Sequence, residues 1–198
     1  MGLKGPWSLI FPQTSKKVEK LATREIALVV GHPDGEGAKG ERDYNTEIAY
    51  QMAAILEDKG ADVYIHFHTI SSYGARQREM RRAVKAELPN CDCCIELHYN
   101  AYYKESANGH EFFYRGSRLL AECFQQRFAD AFEWSKPRSG GVKPLMSGDG
   151  AGFLREAPAW ACLVEPFFIT NDKEKQFFTD HKDVLAEVYC DAIQDFLS

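Results

Sequence analysis

Long hydrophobic runs are missing from this 198-residue chain. No apolar stretch approaches the roughly 20 residues that a membrane-spanning helix needs, so no span is expected. Basic excess is missing too. The chain carries 29 acidic against 24 basic residues, a formal net charge of -5, and no long block of lysine or arginine. That balance argues against a nucleic-acid partner. The pattern of a secretory signal is absent. Leu9–Phe11 is too short for the apolar region, and Lys16, Lys17 and Lys20 follow it, so synthesis in the cytoplasm without a signal peptide is expected. Internal repeats and low-complexity tracts are also lacking, and no second domain is visible. Among the 6 cysteines, Cys93, Cys94 and Cys162 fall in apolar strands, where a free thiol acts as a small hydrophobe. A disulfide framework is not expected in a cytoplasmic chain of this size.

What is present is an alternation of short apolar runs with helical patterns. Residues 1–25 form a leader broken by Gly2, Gly5, Pro6 and Pro12, and residues 26–198 make one domain. Ile26–Val30 reads as the first strand and stops at Gly31-His32-Pro33. A glycine-rich loop leads to a helix whose Ile48, Ala49, Met52, Ala53 and Leu56 share one face. Val63–Phe67 is the second strand, Arg76–Leu88 a charged helix, and Cys93–His98 the third strand. Gly109–Tyr114 follows as a strand and Leu119–Phe132 as a helix. Ser135–Gly152, polar and rich in glycine and proline, reads as a long loop over the site. Ala159–Val164 is a strand ending at Glu165, and Asp172 onward is helical. This order predicts an α/β fold, a three-layer α/β/α sandwich on a mostly parallel sheet.

In such sheets ligands gather beyond the C-terminal strand edges. Three strand ends here carry His32, His98 and Glu165, and Glu41 stands at the threshold of the first helix. Two histidines and a carboxylate match the ligand set of a catalytic zinc site, which leaves a fourth position for water. A further carboxylate can move that water's proton, which is the chemistry of amide hydrolysis. The spacing contains no HExxH motif.

The order GHPDGEGAKGERDYN, then ELHYNA, then G-x-E-x-x-Y, then LVEPFFITN resembles the zinc-dependent N-acetylmuramoyl-L-alanine amidases of bacterial autolysins and phage lysins, across about residues 26–198. The resemblance implies a phosphorylase/hydrolase-like fold and a peptidoglycan substrate. It implies Zn2+ held by His32, Glu41 and His98, with Glu165 as general base and acid. Glu36 and Glu47 also lie near the first histidine, but Glu41 matches the family spacing through Arg42 and Asn45. Arg82, ten residues before Asp92, matches the family's arginine.

The chain departs from the family at Pro33 and Phe167, where glycine is usual, and at Glu96, where serine is usual. Glu96 and His98 share a strand face. Two readings of Glu96 stand side by side: a partner that orients a metal ligand, or an ion-paired strand-end carboxylate. His66 and His68 also alternate on one face and could pair on a metal, though a partly exposed sheet face is the stronger expectation. His110 and His181 are expected at the surface. Tyr99, Tyr102 and Tyr103 are expected either to line a sugar-peptide groove or to pack on the core. The alternatives to the wall amidase are a zinc amidohydrolase acting on small N-acyl amino acids and a non-catalytic wall-binding module.

Overall fold

A computed structural model describes residues 21–148 and 150–198. The expected leader falls largely on residues 1–20, which lie outside the described residues. Leu21 is already buried in the core, and its N–H donates to the Lys59 carbonyl.

The elements follow in order: β1 Glu25–Val30, α1 Glu41–Asp58, β2 Asp62–Phe67, α2 Tyr73–Glu87, β3 Cys93–Leu97, β4 His110–Tyr114, α3 Leu119–Ala131, β5 Pro137–Pro144, α4 Ala151–Glu156, β6 Trp160–Glu165, α5 Asp172–Asp180 and α6 Lys182–Leu197. The six strands form one sheet in the order β2-β1-β3-β6-β4-β5. β2, β1, β3 and β6 run parallel, β4 is antiparallel to β6, and β5 is parallel to β4. The reversal at β4 follows from its connection. The chain between β3 and β4 holds no helix, so it turns back from the edge where β3 ends.

Alternation along the central strands divides the core. Ile26, Leu28, Val30, Ile95 and Leu97 face α1, α3 and α6. Ala27, Val29, Cys94 and Leu163 face α2 and α4. Burial on both faces explains why β1 and β3 read as unbroken apolar runs. Among the described residues no helix is long and apolar enough to cross a membrane.

Some expectations need correction. Ser135–Gly152 is not a plain loop, because it contains β5. That strand lies at the sheet edge, is mostly exposed and is built from PRSGGVKP, so it shows no apolar alternation, and an edge strand tolerates its prolines. The C-terminal helical stretch is two helices, separated at His181. His110 is fully buried against Phe128, with Nδ1 2.9 Å from the Ser135 hydroxyl. Tyr99 packs in the core against Tyr44 and Phe167, whereas Tyr102 and Tyr103 are exposed. Phe167, the residue in place of a glycine, stacks on Phe178 at 4.7 Å. Cys91 and Cys94, spaced as Cys-x-x-Cys, are free thiols with their Sγ atoms 3.7 Å apart.

The loop after β6 is pinned by Glu174 of α5. Its carboxyl accepts from the Gly109 N–H at 2.8 Å and from the Phe168 N–H at 2.9 Å. Burial drives this carboxyl up to about 7 against the pull of those two donors. Glu174→Ala would leave both N–H groups buried without a partner. It is expected to destabilise the fold by on the order of 3 kcal/mol, read from the urea midpoint at constant slope.

Candidate active site

β1 and β3 lie side by side in the sheet, and β2 and β6 flank them on opposite sides. The crossover therefore changes direction between β1 and β3, which opens a crevice at their C-terminal ends. His32 follows β1 and His98 follows β3, so both rings enter this crevice. Their centroids are 4.7 Å apart, edge to face. Gly31 makes the approach feasible: a Cβ there would fall 2.4 Å from His98 Cε1. His32 holds a left-handed backbone at φ 61, an uncommon conformation for a non-glycine residue. Its carbonyl accepts from Arg42 at 2.5 Å, and Arg42 also reaches the His68 carbonyl.

Glu41 opens α1 and is almost wholly buried. Its Oε2 accepts from the Ala38 N–H at 2.9 Å, and its Oε1 from the Tyr99 N–H at 3.0 Å. The same Oε1 lies 3.2 Å from His98 Nδ1 and 3.5 Å from His32 Nε2. His32, Glu41 and His98 thus offer donor atoms within 4.8 Å of one another, a group able to hold a metal ion. The competing carboxylates go elsewhere. Glu36 pairs with Arg76 at 2.8 Å, and Glu47 is exposed and pairs with Lys182.

Behind His98 stands Glu96, also buried. Its Oε2 is 3.3 Å from His98 Nε2, and its Oε1 is 3.3 Å from His68 Nε2. His66 and His68 are buried, not partly exposed as expected, because α2 covers their face of β2. Burial lowers the His66 imidazole to about 4.

The charges around His98 are unusual. Burial alone would lower its imidazole, but the Glu96 and Glu41 carboxylates overcome that and raise it to about 10. Burial likewise favours neutral Glu96, yet His98 and His68 hold its carboxyl down at about 2. Glu41 is lowered despite burial by its bonds from His98, Tyr99 and Ala38. His32 is lowered, first by burial and then by His98. The crevice therefore draws positive charge to a spot between buried carboxylates.

Glu165, at the end of β6, sits on the other side of β3 from His32. Burial raises its carboxyl to about 7, opposed by His98 and reinforced by Glu111 and Glu41. Asn100 bridges the two carboxylates, donating to Glu165 Oε2 at 2.7 Å and to Glu111 Oε2 at 2.8 Å. Glu111 is paired with Lys143. Sequence reasoning gave Asn100 and Glu111 no role, although Glu111 is the glutamate of the quoted G-x-E-x-x-Y stretch.

A pocket of about 420 Å3 opens beside the histidines, lined by His32, His98, Glu96, Glu36, Tyr73, Arg76 and Gly150. Arg76 is buried over the Tyr73 ring at 4.9 Å. Arg82, the arginine singled out in the sequence, is exposed on the outer side of α2. No motif pointed to Arg76, since only the docking of α2 turns it inward.

Two measurements check this geometry. Gly31→Ala is expected to cost about 1–3 kcal/mol through overpacking against His98, read by urea denaturation. In the metal-free protein, Glu165 followed by carbon-13 NMR is expected to titrate near 7, protonated below and ionised above. Glu111→Gln should lower that midpoint, because it removes a neighbouring negative charge.

The comparisons with known proteins agree with this architecture. The family model described as N-acetylmuramoyl-L-alanine amidase matches residues 26–195. No curated protein sequence matches the chain. Among solved structures, the amidase AmiC2 of Nostoc punctiforme is similar at TM-score 0.71 and 22% identity, over 88% of this chain and 97% of that one. The catalytic domain of an endolysin targeting Clostridia difficile gives TM-score 0.72 and 19% identity, over 87% and 97%. The CwlD amidase of Clostridioides difficile, solved with the GerS lipoprotein, gives 0.69 and 20%, over 88% and 98%. With a family match over most of its length, on a fold that gathers two histidines and buried carboxylates at the sheet's C-terminal edge, the chain belongs to the N-acetylmuramoyl-L-alanine amidase family.

Proposed function

We propose that residues 26–198 form a zinc-dependent catalytic unit in which His32, Glu41 and His98 hold the ion and Glu165 transfers the proton. The reaction is hydrolysis of the amide between N-acetylmuramic acid and L-alanine in peptidoglycan. The observation that carries the metal assignment is the convergence of His32 Nε2, Glu41 Oε1 and His98 Nδ1 on one point. Two imidazoles and one carboxylate are a donor set suited to zinc. The draw on positive charge around His98 fits a dication in the same place. Lewis-acid polarisation of the scissile carbonyl, with acidification of water, is the chemistry such an ion supplies.

The chain's own groups do the rest. Glu41 is fixed by two backbone N–H groups before any ligand arrives, so little reorganisation is needed. Glu96 Oε2 faces His98 Nε2 at 3.3 Å, on the side of the ring away from Glu41. A carboxylate behind a histidine ligand raises its basicity and fixes its tautomer. Glu165, raised toward neutrality by burial, can take a proton from water and return it to the leaving amine near neutral pH. Asn100 orients the Glu165 carboxylate through its side-chain amide.

The test is digestion of purified peptidoglycan with mass analysis of the products. Stem peptides beginning with a free L-alanine amine are expected, and a zinc chelator should abolish their release. Glu165→Gln is expected to lower kcat by about 10²–10⁴-fold while zinc content stays unchanged. Cleavage that persists in the chelator, or in the Glu165 variant, would refute this assignment.

A further inference from the structure

The geometry points to a second divalent-cation site, on the α2 face of β2, formed by His66, His68 and Glu79. It is separate from the group made by His32, Glu41 and His98. The three side chains offer donor atoms within 4.8 Å of one another. β2 carries His66, His68 follows two residues later on the same face, and Glu79 comes down from α2. The imidazole rings meet edge to face with centroids 5.1 Å apart.

The donor atoms are idle. His66 Nε2, His68 Nδ1 and Glu79 Oε2 are all buried, and none has a hydrogen-bond partner among the described residues. His66 Nε2 and Glu79 Oε2 face each other at 3.3 Å without hydrogen-bond alignment. Buried polar atoms without partners are rare in folded proteins. Three of them, on side chains whose donor atoms lie within 4.8 Å of one another, are accounted for by a cation among those side chains. Imidazole-rich donors with one carboxylate favour zinc over magnesium or calcium. Zinc–nitrogen bonds of about 2.0–2.1 Å require the donors to close in by a modest shift. The Glu79 side chain, 38% exposed, leaves a route from solvent.

Glu96 ties this site to the first one. Its Oε1 meets His68 Nε2 and its Oε2 faces His98 Nε2. His98 meets Glu41 through its other nitrogen, Nδ1, and His68 keeps its own Nδ1 buried without a partner. One carboxylate therefore backs a ligand histidine of each site. An ion at the second site would fix the tautomer of His68 and clamp α2 onto β2. It would also hold the Glu96 carboxylate in the orientation that serves His98.

The experiment is zinc stoichiometry of the full chain, by native mass spectrometry and metal analysis after equilibration with zinc. Circular dichroism melts check the fold of each variant. Two ions per chain are expected for the wild type, falling to one in Glu79→Ala and in His66→Asn. Glu41→Gln should also fall to one, by losing the other ion. Cobalt(II) absorption of Glu41→Gln and Glu79→Ala should then show two distinct sites. A count unchanged by either Glu79→Ala or His66→Asn overturns the second site, whatever the wild-type number. One ion that Glu79→Ala and His66→Asn remove but Glu41→Gln retains would support the second site while refuting the catalytic zinc assignment.

Discussion

Gly31 donates its N–H to the Leu97 carbonyl at 3.0 Å and so holds the end of β1 against the end of β3. That contact sets how closely the chain segments leaving the two strands can approach. With a hydrogen in place of a side chain at residue 31, the His98 ring lies directly over the backbone. His32, one residue further on, then meets His98 edge to face. Glu41 reaches both rings because the intervening loop returns α1 to the same edge. Without this lateral pairing, the residues that define the crevice would be separated by the width of the sheet.

The electrostatic character of the crevice follows from its burial. Glu41 and Glu96 are shielded from water, so neither is screened as an exposed carboxylate would be. A buried carboxylate has to be neutralised by a proton, a charged partner or a metal. His98 stands between the two, and their carboxylates raise its imidazole to about 10. Glu165 lies beyond this pair and is driven the other way, toward neutrality, by burial and by the neighbouring charge of Glu111. Carboxylates of one residue type are thus shifted in opposite directions by their surroundings, Glu41 and Glu96 down and Glu165 up.

Much of this arrangement was legible from local pattern. The apolar runs of β1, β3 and β6 and the amphipathic face of α1 follow from side-chain alternation, which is written into neighbouring residues. His32, Glu41 and His98 were legible as a group because their motifs occur in family order. β5 was not legible, since an edge strand built from glycine, proline and charged residues carries no alternation signal. The depth of His66, His68 and His110 was equally hidden. Histidine suits a surface or a core, and the choice between them depends on which helix covers that stretch of the sheet.

Local sequence is enough to set the α/β class, the strands and helices that make the core, and the residue types available for metal and acid–base chemistry. These rest on short-range periodicity and on the chemistry of single side chains. Packing in three dimensions settles that Arg76 and not Arg82 reaches the pocket, that Asn100 joins Glu165 to Glu111, and that Glu96 stands between His68 and His98. Each of those depends on strand neighbours and helix docking. The free energy of packing elements far apart in sequence sets them, and no local pattern encodes it.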